Sequence, residues 1–199
     1  MSLPLTALSD HLKLHTKVNH QQVEKLLVAR MRSIDNSDAY VELLQLFYGY
    51  FSALEDKINQ YIGPTQLSDY AERRKSGSLF NDIESVGNIT PQKPEHPNLP
   101  MIENRLQAFG ALYVIEGSTL GGKIISKLMA KQLDLQNNKG LSFFIGYGDK
   151  TEKMWEGFKE ILNLQPQNRA DAIIILDAAN DTFNKFKFWI ENANEQAIK

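Results

Sequence analysis

The stretch SDAYVELLQLFYGYFSALEDKINQYI, Ser37 to Ile62, sets apolar and aromatic side chains at steps of three and four until Gly63 and Pro64 stop it. That is the period of an amphipathic helix, and its aromatic content marks it as central. Strict alternation of apolar and polar residues, the mark of a half-buried strand, is sustained nowhere in the chain. The other segments follow the same period. From about Ser9 to Met31, Leu8, Leu12, Thr16, Val23 and Leu27 step in threes and fours, with Ser9 as the expected cap. Shorter helices are expected around Ser68 to Lys75 and Leu79 to Val86. The run NITPQKPEHPNLP, Asn88 to Pro100, holds four of the seven prolines and reads as an irregular surface connection. The segment MIENRLQAFGALYVIEGSTLGGKIISKLMAKQL is helix-like at both ends and interrupted by glycines in the middle. A GYGD loop follows, then a helix from Thr151 to Leu164 carrying Trp155 and Phe158 one turn apart. A last helix spans Asn168 to about Asn194, with Ile175, Ala179, Phe183, Phe186 and Ile190 at helical spacing. The fold class is all-α, and 199 residues are read as one domain, 1–199, large enough to bury its own core.

Composition removes several classes of function. A formal net charge of -2 gives no global attraction to nucleic acid or anionic membrane, and the basic residues are dispersed without an aromatic platform between them. Neither nucleic acid nor membrane is expected as a partner. No apolar run reaches the roughly 18 residues of a membrane span, and MSLPLTALSD lacks the basic and apolar regions of a signal peptide, so a cytoplasmic location is expected. Cysteine is absent, which excludes disulfides, thiolate metal sites and cysteine nucleophiles. Redox chemistry in this chain must ride on a cofactor.

Two short stretches carry chemistry. In HTKVNHQQVE, helical spacing lines up Thr16, His20 and Glu24 on one face beside Val23 and Leu27. A neutral histidine binds metal through one ring nitrogen while the other donates to a carboxylate, and Glu24 has the spacing for that second role. The same pair also suits an ordinary solvated helix. His11 and His15 lie off the His20 face, and one histidine cannot complete a tetrahedral zinc site. A metal held by His20 therefore arrives with other ligands already in place, as the iron of heme does, with four porphyrin nitrogens and an open axial position.

In EGSTLGGK, Gly117 and Gly121 share a face and Gly122 adjoins them. Each costs a helix interior about 1 kcal/mol relative to alanine, so close approach by something is the expected return. That something is either a packed helix or a flat ligand. A phosphate loop is excluded by the glycine spacing and by Ile124 after Lys123.

Taken together, LKLHTKVNHQQVE and LYVIEGSTLGGK resemble the proximal and distal helix motifs of the heme oxygenase family, the second that of its bacterial branch. The likeness extends coarsely over most of the chain, including DTFNKF in the last helix. It implies heme lying between the first helix and a glycine-kinked distal helix. His20 would be the axial iron ligand and Glu24 its partner. Gly117, Gly121 and Gly122 would form the distal wall that steers oxygen toward the porphyrin edge. Lys13 would contact a propionate and Lys17 is a second candidate for the same role; solvated surface lysine is the other reading of both, and for Lys17 it serves equally well. Phe183 would line the pocket, or simply fill core. The implied reaction is cleavage of heme, at once cofactor and substrate, to biliverdin, carbon monoxide and ferrous iron. It uses dioxygen and electrons from an external donor such as a ferredoxin or flavin reductase. Where mammalian-type members carry an aspartate after the first distal glycine, this chain has Ser118, so proton delivery must use other groups, with Ser118 and Glu116 as candidates. Glu116 could equally be a surface charge or a helix contact. The same residues would also serve a heme-binding sensor or transfer protein without turnover, or, without heme, a helical interaction module.

Overall fold

A computed structural model describes residues 7–94 and 98–193, and among these residues every regular element is helical. The order is α1 (Leu8–His15), α2 (Lys17–Arg32), α3 (Ser37–Ile58), α4 (Gly77–Gly87), α5 (Arg105–Gln132), α6 (Ser142–Ile145), α7 (Thr151–Asn163) and α8 (Arg169–Glu191). Single 3-10 turns lie at Tyr70–Glu72 and Gly148–Lys150.

The three longest helices share one start signal. Asn36, Asn104 and Asn168 are extended, and each side chain accepts a hydrogen bond from the backbone N–H three residues on, Ala39, Gln107 and Asp171 respectively. The N-terminal helix departs from expectation twice. Ser9 does not cap it; Ser9 is buried, and its N–H donates to Asn163 Oδ1 at 2.9 Å on α7. The helix also divides at Thr16, whose buried hydroxyl donates back to the Leu12 carbonyl at 2.8 Å, a bond that competes with the helical ladder.

The central helix ends at Ile58, one turn before Ile62. Its Phe47, Tyr50 and Phe51 stack against Phe143 and Phe144 of α6 and Phe186 of α8. Tyr50 also donates to the Thr182 carbonyl, and Trp189 of α8 donates to the Leu46 carbonyl, both at 2.8 Å, so the α3–α8 crossing is pinned by polar as well as apolar contacts. The expected helix at Ser68 to Lys75 is only the short 3-10 turn, because Arg73 and Arg74 turn their side chains inward to α5. Helix α5 runs unbroken through Gly117, Gly121 and Gly122, so the expected interruption is absent. The last helix ends at Glu191, and Asn194 lies outside the described residues. Among the described residues, no helix is long and apolar enough to cross a membrane.

Candidate functional site

Helix α8 packs against both α5 and α2 and so lies between the two helices singled out by sequence. Helix α2 is fastened to it by Asn19 with Asn180 at 2.7 Å and Lys187 with Gln22 at 3.0 Å. His20 is exposed on α2 with its ring edge-on to buried Phe183 of α8, centroids 5.4 Å apart. Phe183 thus supports the imidazole from beneath and is itself part of the buried core.

The ends of α2 and α5 meet where Gln132 donates to the carbonyls of Met31 and Ile34. His20 stands eleven residues before Met31, and Gly121 eleven before Gln132. Eleven residues make three turns, so each pair shares a face and each rises about 16 Å from the joint. The face of α5 that carries Gln132 is therefore the one bearing Gly121. Along it Leu120, Ile124 and Leu128 are 44%, 73% and 38% exposed. Apolar side chains on one open stripe are the informative case, since single exposed ones are ordinary.

The three glycines divide. A Cβ on Gly121 would meet nothing within 4 Å, and one on Gly117 would reach Trp155 of α7 at 3.6 Å, ordinary contact. On buried Gly122 it would collide with the Phe144 carbonyl oxygen, so that glycine is required by α6 rather than by the open face. Lys13, Lys17 and Glu24 are all exposed on α1 and α2. Among the described residues no hydrogen bond joins Glu24 to His20; the ring is turned onto Phe183 instead.

Behind the open face lies a polar cluster. Glu116, only 1% exposed, accepts from Arg73 Nη1 at 2.8 Å and from Tyr147 Oη at 3.0 Å to each oxygen, so it is a buried helix contact and not a surface charge. Arg73 also grips Asp69 with two bonds and donates to the Met154 carbonyl. Burial opposes its charge, but Asp69 and Glu116 outweigh burial and raise its pKa. Burial and the neighbouring Glu116 push the Tyr147 phenol up as well. Ser118 faces this cluster: its hydroxyl donates to the Ile115 carbonyl at 2.7 Å and accepts from Arg74 Nη2 at 2.6 Å. Sequence reasoning missed Arg73, Arg74 and Tyr147. The adjacent arginines of AERRKS and the tyrosine of GYGD were the signal, but each reads locally as surface.

The fold has known counterparts. The heme oxygenase from Neisseria meningitidis superposes with a TM-score of 0.80 at 21% identity, over 94% of this chain and 92% of that one. The Leptospira interrogans heme oxygenase gives 0.75 at 17% identity, over 94% and 100%. A heme oxygenase of Xanthomonas campestris pv. campestris (strain 8004) is 27% identical over 144 residues, 69% of this chain and 82% of that one. Residues 92–192, just over half of the chain and including all of α5, match the sequence profile described as Heme oxygenase, and on that match the chain belongs to the heme oxygenase family.

Proposed function

We propose that this chain is a heme oxygenase that opens heme to biliverdin, carbon monoxide and ferrous iron, drawing on dioxygen and electrons from an external donor such as a ferredoxin or flavin reductase. The single observation that carries the reading is that α8 holds both α2, with exposed His20, and α5, whose open apolar stripe bears Gly121. A planar macrocycle fits this donor set: one imidazole on one side, a side-chain-free backbone on the other, and leucine and isoleucine to cover apolar edges. Heme when bound supplies the iron that activates dioxygen, and its own ring is the substrate.

The chain's residues then divide the work. His20 would hold the heme iron, with Phe183 limiting how its ring can turn. Glu24, one turn away, is the carboxylate available to accept from the second ring nitrogen. Gly117 and Gly121 would keep the distal side free of side chains, leaving room there for a small molecule. Gly122 acts indirectly, letting α6 press against the back of that turn. Lys13 and Lys17 would hold the heme propionates and so help to orient the ring. Arg73, Glu116 and Ser118 fix the turn that carries Gly117.

Hemin titration followed by reductant and air tests the reading. Loss of the heme bands with growth of a biliverdin band is expected; persistent heme bands would instead indicate a sensor or transfer protein. His20→Ala should abolish the ferric-heme spectrum of the wild type, and an unchanged spectrum and affinity would remove the site. Lys13→Ala and Lys17→Ala should alter the ratio of biliverdin isomers, and a lysine whose loss leaves the ratio fixed does not hold a propionate.

A further inference from the structure

We infer that Arg74 is a positioning residue for the distal turn of α5, completed by one ordered water held between its Nε and Glu55. The inference rests on reading α2 and α5 as the heme slot. Arg74 lies in the segment between α3 and α4, yet its guanidinium spans α5 at the residues flanking Gly117. Nη2 donates to the Ile115 carbonyl at 2.8 Å and to Ser118 Oγ at 2.6 Å. The same group lies over the Phe143 ring at 4.0 Å and donates to the Phe143 carbonyl at 3.3 Å, while the Arg74 N–H donates to Tyr147 Oη at 2.8 Å.

These bonds settle the direction of the Ser118 proton. The hydroxyl gives its hydrogen to the Ile115 carbonyl and takes one from Arg74, so it turns a lone pair, not a proton, toward anything else. Ser118 thus acts through Arg74 as part of a rigid turn. Burial lowers the Arg74 pKa to about 10, with Glu116, Tyr147 and Glu55 opposing the fall, so the fork stays charged at neutral pH.

One nitrogen of this fork is left without an acceptor. Nε of Arg74 is enclosed and has no protein partner. A buried donor in that state costs about 1–3 kcal/mol unless something accepts from it. A cavity of about 10 Å³ adjoins the side chain, with Glu55, Tyr70 and Ser76 on its polar wall and Leu112 and Phe143 on its apolar one. That volume is close to the least that holds one water, which needs two to four polar partners. Glu55 supplies a second one. Its Oε2 already accepts from the Ser76 N–H and hydroxyl, while Oε1 has only Lys75 at 3.7 Å. A water accepting from Arg74 Nε and donating to Glu55 Oε1 satisfies both groups.

Two measurements test this. In ¹⁵N-labelled protein without heme, the Arg74 Nε–H resonance, assigned by its loss in Arg74→Lys, should exchange slowly with solvent and show a cross-peak to a long-lived water. Fast exchange, or no such cross-peak, overturns the water. With hemin bound, Ser118→Ala and Arg74→Lys should each shift the visible heme spectrum from that of the wild type, and the double variant should shift it no further, as for two groups acting through one hydrogen bond. Additive shifts, or none, overturn the positioning role. A wild type that takes up no hemin, or a His20→Ala variant that binds it unchanged, overturns the slot reading and the positioning role with it. The water is then judged by the NMR arm alone.

Discussion

Gly121 and Gly122 are neighbours in sequence with opposite surroundings. At Gly121 a methyl group meets open space, so Gly121→Ala should stabilise α5 by about 1 kcal/mol through helix propensity. Gly121→Leu should leave the melting temperature near the wild type and abolish hemin uptake, because its side chain enters the proposed slot. At Gly122 the same methyl group strikes the Phe144 carbonyl, and Gly122→Ala should cost about 1–3 kcal/mol in denaturant unfolding, since backbone cannot step aside as a flexible side chain does. If Gly122→Ala proves neutral, α6 does not need that close approach. The glycines were legible as a motif, but the division of labour among them was not, because it depends on which neighbour each Cα–Cβ direction meets. Histidine shows the same limit: spacing placed Glu24 near His20, but the partner the ring meets is Phe183, 163 positions along the chain.

Among the elements, the packing of α5 decides most. Its N-terminal half crosses α8 at Gly110, where an added Cβ would lie 2.8 Å from the Ala178 Cβ and 3.0 Å from the Ala179 nitrogen. Gly110→Ala should therefore destabilise the protein by about 1–3 kcal/mol and loosen the α5–α8 crossing that seats α5. Nothing in AFGALY announces this, because a single glycine in a helical pattern gains meaning only from the helix laid across it. The middle of α5 is fastened by the Arg73–Glu116 pair, each side chain 1% exposed. Glu116→Ala should cost about 3–5 kcal/mol, since it leaves a buried guanidinium short of its counter-charge and Tyr147 without an acceptor. An unfolding midpoint equal to wild type would show that water replaces the carboxylate freely.

At the scale of the whole molecule, burial leaves a signature in alkali. Five of the seven tyrosines, Tyr40, Tyr50, Tyr70, Tyr113 and Tyr147, have phenol pKa values raised by burial first and by nearby carboxylates second, Tyr113 to about 12. An unfolded chain ionises near pH 10 at groups the folded chain keeps protonated. The folded state binds more protons there, so stability should fall as pH rises above about 10. Absorbance titration of native protein at pH 11 should show fewer phenolates than the same protein in denaturant; equal counts would mean that these hydroxyls are open to solvent. By itself the sequence determined that the chain is helical and where its long helices run, since period and proline stops act over a few residues; the pairing of a histidine helix with a glycine helix is what the family resemblance implies. What only the tertiary structure decided is how those pieces face one another: the joint at Gln132, Phe183 beneath His20, and Arg74 reaching from a surface-like stretch to clasp Ser118. Those contacts join residues up to 163 positions apart, and local periodicity carries no information about which distant face a side chain will meet.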